Sequence, residues 1–339
     1  MLIDTSNAKR IYDEIGHDEF DKIIDMAKII INNTEYKTLD ELYGYLDIND
    51  AMKYVEDFFK YLNPEYYDRI QSTFNSNNSS NKNSSSFLIK HVEDDEFGEF
   101  CGKNIFFLNT GNIIINHDNS IVLAYNSVHE LTHRLASPNS KLDLERFFYK
   151  EVASITIESL FLDWMEDHGY NPKEIEQLRR RRKNNTYKNS AIIIFTNELI
   201  KSNQDKVSFD EIIKRIHSKY PNFNLEGLNM DLINRLYNDE TNYDDYCANL
   251  MPNIPYIIGK LMSNYYIKDY YENLSAADIF KFIKLYSDAS IDNHMTRCQY
   301  MFLNLPFENN NLNELEQLYD SDSFSDSDVI DIDYIEAKN

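Results

Sequence analysis

Residues 120–137 read SIVLAYNSVHELTHRLAS, and Val122, Tyr125, Val128, Thr132 and Leu135 recur within them at intervals of three and four. That is the spacing of one face of an α-helix, which begins at Asp118 or Ser120 and should end near Ser137, Pro138 and Asn139. His129 and His133 stand four residues apart in it. On a helix that is about one turn, so both imidazoles project from one face and can reach a single metal ion. Glu130 lies beside that face, where its carboxylate can address a water on the metal without ligating the ion itself.

Two histidines are too few for a catalytic zinc site, which usually takes three protein ligands and keeps one position for water. Outward from the histidines, a second helix is expected from about Leu142 to Asp167, closed by the sequence HGYNP at 168–172. Glu151 on that helix is the best third ligand if the chain returns as helix, loop, helix, with Asp143 and Glu145 competing at shorter spacing. Ala153 and Ser154 would permit close approach of the two helices, and Glu158, two turns beyond Glu151, could hold a ligand imidazole from behind. This set expects one zinc ion per chain, with Glu130 as the general base in peptide-bond hydrolysis.

Upstream the period changes. NIFFL at 104–108 and NIIIN at 112–116 are short β-prone runs separated by Asn109, Thr110 and Gly111, which reads as a hairpin or a pair of adjacent strands. An extended peptide could pair with such an edge. Residues 1–74 read as an N-terminal helical region, in which Met52, Val55, Phe58, Phe59 and Leu62 share one stripe until Pro64 interrupts it. Residues 75–86, NSNNSSNKNSSS, contain no apolar side chain and form a flexible loop before the main body at 87–308. Three or four further helices are expected between Lys173 and Asn304, with breaks near 203, 220–223 and 252–255, and 309–339 reads as an acidic disordered tail.

The chain has 339 residues with only 8 glycines and 7 prolines, which favours long helices and few tight turns. A net charge of −23 argues against a nucleic-acid or anionic-membrane partner. Cys101, Cys247 and Cys298 are an odd set at wide separation, which suits a reducing compartment better than a disulfide framework. With no signal-peptide core and no run of eighteen apolar residues, the expectation is a soluble cytoplasmic protein.

Four stretches, taken together, resemble the oligoendopeptidase F and thimet oligopeptidase group of zinc metallopeptidases. FGEFCG at 97–102 is similar to the group's Gly-Ala-Tyr-Cys segment, and NIFFLN at 104–109 to the strand after it. HELTH at 129–133 resembles the group's HELGH, with Thr132 in place of glycine. EVAS at 151–154, followed by Glu158, resembles the helix whose first glutamate is the third zinc ligand. A further match downstream, PYIIG at 255–259, is similar to a Tyr-x-x-Gly run in the substrate cleft, where the group carries histidines and this chain has Tyr243, Tyr246, Asn253 and Tyr256 nearby. The resemblance implies a mainly α, zincin-like body with a small β hairpin beside the histidine helix. It also implies a channel for short unfolded peptides, with Tyr246 and Tyr256 as donors to the oxyanion. An inactive, peptidase-like binding or regulatory protein is the alternative.

Other features take plainer readings. The basic run Arg179, Arg180, Arg181, Arg182 and Lys183 could serve nuclear import or polyanion binding, but at a helix end in an acidic chain it reads as a solvated face. His17, His91, His117, His168, His217 and His294 have no ligand spacing with any partner.

Overall fold

The computed structural model describes residues 13, 17–38, 43–75, 87–90, 104–107, 112–116, 119–136, 150–203, 207–225, 228, 246–247 and 250–272. Outside these lie Cys101, Cys298, Asp143, Glu145, Tyr243, His91, His117, His294, the FGEFCG segment, the Asn/Ser-rich run beyond Asn75 and the acidic tail.

The described chain is mainly helical. Its helices are α1 (His17–Asn33), α2 (Ile48–Leu62), α3 (Pro64–Asn75), α4 (Ile121–Ala136), α5 (Lys150–Asp167), α6 (Pro172–Asn203), α7 (Phe209–Lys219) and α8 (Ile254–Glu272). A 3-10 turn, Met251–Asn253, leads directly into α8. Three short strands, β1 (Phe87–Lys90), β2 (Asn104–Phe107) and β3 (Asn112–Asn116), form one sheet in the order β1-β3-β2. β3 is therefore central, parallel to β1 and antiparallel to β2, with Ile114 opposite both Leu88 and Ile105. It adjoins α4.

Local signals explain where the helices start and stop. Asp47 caps α2 by accepting from Asn49 N at 2.8 Å, and Ser120 opens α4 by accepting from Val122 N at 3.1 Å. α5 ends at Gly169, whose φ of 76° is the left-handed geometry that glycine adopts without steric cost. Pro172 then starts α6, where its missing N–H would have had no helical acceptor anyway.

Packing divides the helices into two cores. One contains the apolar stripe of α2, with Val55, Phe58, Phe59 and Leu62 buried against α4 and α5 and Met52 packed at its edge. The other joins α1, α6, α7 and α8 around Ile23, Ile30, Tyr187 and Phe195. α5 belongs to both: Val152 faces the second core, whereas Ala153, Ile157 and Phe161 face the first. Every side chain from Glu151 to Leu162 is buried. A helix enclosed on all sides has no polar face, so its hydroxyls must be satisfied internally. Thr156 Oγ1 accordingly donates to Val152 O at 2.6 Å, and Ser159 Oγ to Ile155 O at 2.7 Å.

Candidate metal centre

α4 and α5 are the two helices that carry the proposed ligands, and they meet along a single antiparallel seam. On α4, Tyr125, His129 and His133 follow one another at intervals of four, which puts them on one face. On α5, Glu151 and Glu158 are seven residues, about two turns, apart. His133 meets Glu151, His129 meets both glutamates, and the Tyr125 hydroxyl donates to Glu158. As the first series rises along α4, its partners descend along α5.

Three atoms converge at the centre. His129 Nε2 and His133 Nε2 are 3.1 Å apart, and Glu151 Oε2 is 3.2 Å from the first and 3.3 Å from the second. A four-coordinate ion with bonds of about 2.0–2.1 Å separates its ligands by about 3.3 Å. The triangle therefore has the dimensions of a small first-row metal site. Its donors, two imidazole nitrogens and a carboxylate oxygen, suit borderline ions, whereas calcium and magnesium take oxygen cages. His129, His133 and Glu151 form a group that can hold a metal ion.

The surroundings are built for positive charge. His129 Nδ1 lies 2.8 Å from Glu158 Oε2, which fixes the imidazole's orientation and leaves Nε2 facing the triangle. Burial pulls the His129 pKa down, but hydrogen bonds to the Glu151 and Glu158 carboxylates outweigh it and hold the value well above its usual 6.5. Ser154 Oγ is 3.2 Å from Glu151 Oε2 and 3.1 Å from Glu151 O, so it restrains the third ligand's carboxylate. Glu130 is buried, and among the described residues its Oε2 has no hydrogen-bond partner. A buried carboxylate oxygen without a protein partner is costly unless a water, an ion or a bound ligand satisfies it.

Tyr256, on the first turn of α8, remains 37 % exposed while its phenol feels this cluster. The charge of Glu151, then burial, then the charges of Glu130 and Glu158 hold its pKa well above 10.0. Its hydroxyl keeps its proton at neutral pH and remains a donor beside the centre. Tyr246 is buried in the core shared by α1, α6 and α8, which also contains Val152 next to Glu151. Asn253 is half-buried in the 3-10 turn.

Several contributors were not singled out from sequence. Tyr125 precedes His129 by one helical turn, yet only the docking of α5 shows that it serves Glu158. Its own pKa is pushed well above 10.0 by burial and then by the Glu158 charge. Ser154 acts as a hydrogen-bond donor to Glu151, and α8 approaches α5 closely at Gly259. Thr132, in the motif's variable position, donates to Val128 O at 2.7 Å and is fully buried.

The basic run does not sit at a helix end: it lies within the first half of α6, a helix of 32 residues. Arg179 reaches Asp163 at 2.8 Å and Glu166 at 2.6 Å on α5, and Arg182 donates to Ser159. Arg180 instead stays on its own helix, with Glu176 at 2.8 Å. The run is thus partly a staple between α5 and α6. His168 stacks on Trp164 at 4.2 Å and His217 meets the edge of Phe223, both packing roles. Cys247 is buried. No helix among the described residues is long and apolar enough to cross a membrane.

No family model matches the chain, and neither the curated proteins nor the solved structures yield a match.

Proposed function

We propose that the chain is a zinc-dependent metallopeptidase similar to the oligoendopeptidase F and thimet oligopeptidase group, acting on short unfolded peptides. The observation that carries this reading is the triangle of His129 Nε2, His133 Nε2 and Glu151 Oε2 beside the unpartnered, buried Oε2 of Glu130. Zinc bound there would acidify a water and polarise a carbonyl. Glu130 takes the water's proton on its free oxygen and delivers it to the leaving amine. Tyr256 donates its retained proton toward the carbonyl oxygen as negative charge develops there. Glu158 holds His129 in the tautomer that presents Nε2 to the centre. Among the described residues β1 and β2 are the outer strands, and an extended peptide pairing with one of them would lie along the sheet that adjoins α4.

The test has three parts. Elemental analysis should find about one zinc per chain. Quenched fluorescent peptides should be cleaved, with activity lost on chelation and restored by zinc. Glu130→Gln should keep the metal and lose activity by at least 10²-fold, roughly the contribution of a general base. A chain that neither carries nor takes up zinc contradicts the proposal. Stoichiometric zinc without turnover would instead identify a non-catalytic binding protein.

A further inference from the structure

Gly259 lies in the interior of α8 with ordinary helical backbone geometry, so conformational freedom does not explain it. Glycine there costs helix stability relative to alanine, and a packing reason is required. The packing is specific. A Cβ at this position would fall 2.7 Å from Ile155 Cδ1, 3.0 Å from Glu151 Cβ and 3.1 Å from the Glu151 carbonyl carbon. Gly259 therefore sits in the groove between two residues one turn apart on α5, and one of them is the third ligand. Glu151 occupies the first turn of its helix, where backbone N–H groups lack helical acceptors. Its placement depends more on what packs against it than a mid-helix residue's would. Tyr256 precedes Gly259 by one turn on the same face, so this one approach also sets how far Tyr256 stands from the carboxylates.

We propose that Gly259 is a positioning residue for the metal centre: the missing side chain lets α8 lie against the backbone of Glu151 and fixes where its carboxylate meets His129 and His133. This rests on the metal-binding reading above, and the experiment separates the two. Zinc affinity of the full chain is measured by chelator competition for wild type, Gly259→Ala, Ile155→Val and the double variant. Circular dichroism and the metal-free Tm report the fold, and visible spectra of the cobalt-loaded proteins report ligand geometry. Ile155→Val removes only Cδ1, the atom nearest the added methyl, so it relieves that overlap and leaves the one with Glu151.

The folded Gly259→Ala chain is expected to bind zinc roughly tenfold more weakly or worse, as when ligand-orienting contacts are lost, with an altered cobalt spectrum. The double variant should recover only part of the affinity, and Ile155→Val should match wild type. If Gly259→Ala does not fold, the double variant carries the test, again with weaker binding expected. Wild-type affinity and an unchanged cobalt spectrum in either folded glycine variant overturn the inference while leaving the metal site standing. Full recovery in the double variant also overturns it, because Ile155 rather than Glu151 would then be the displaced group. A wild-type chain that binds no zinc ends the metal reading, and this inference with it.

Discussion

At the scale of single residues, the seam between α4 and α5 makes the order of dependence explicit. Glu151 meets both imidazoles, Glu158 meets His129, and Tyr125 donates to Glu158. Glu158→Gln should therefore lower zinc affinity by about 10–100-fold, read by chelator competition, and Tyr125→Phe should produce a smaller loss in the same assay. The raised His129 pKa gives a pH dependence of definite sign. Folding favours the protonated ring, so in metal-free protein this stabilisation is complete below about 6.5 and disappears as pH rises through the elevated folded value. The Tm of chelated protein should fall across that interval, and a flat profile would contradict the assignment. Zinc competes with that proton, so metal uptake should release protons and tighten as pH rises. Spacing made His129 with His133, and Glu151 with Glu158, legible as pairs on shared faces, whereas the preference for Glu151 over Asp143 and Glu145 drew on the resemblance carried by EVAS. Tyr125 has the histidines' interval and was still passed over. A phenol is an ordinary core residue until a carboxylate on another helix claims it.

Among the elements, α2 and α5 show opposite limits of what periodicity conveys. The stripe from Met52 to Leu62 is readable because α2 has one wet side, and the same side chains form its buried face. Phe58 meets Phe161 at 5.2 Å and Trp164 at 5.8 Å between ring centroids. Phe58→Ala should cost about 3–5 kcal/mol in chemical denaturation without altering zinc stoichiometry. α5 has no such stripe, since polar and apolar residues alike are enclosed from Glu151 to Leu162. Its end at Asp167 was readable from the closing HGYNP sequence, but its central place was not, because burial by two cores erases the periodic signal. The basic run of α6 misled for a related reason: charge composition suggests solvent, whereas Arg179 leans across to Asp163 and Glu166. These groups remain partly exposed, so Arg179→Ala should shift stability by no more than about 1 kcal/mol, again read from the denaturation midpoint.

On the scale of the whole molecule, the two cores are joined through α5, and the ligand triangle lies at its first turn, where Val152 turns toward one core and Ala153 toward the other. A ligand that binds only the folded chain stabilises it by mass action. Zinc at a hundredfold excess over its Kd should add about 2.7 kcal/mol, visible as a higher Tm that chelator reverses. The position of the central helix has a further consequence, for exchange of backbone amide hydrogens with solvent. Amides open to solvent through local fluctuations where packing is one-sided, and only through global unfolding where it is complete. The amides of α5 from Ser154 through Leu162, which have helical acceptors and buried side chains, fall in the second class, so deuterium should enter them last, at the rate set by unfolding of the entire chain. The carboxylate of Glu158 is thereby mounted on the least fluctuating segment, with Glu151 in the turn before that segment, and heat should abolish metal retention as the fold itself is lost.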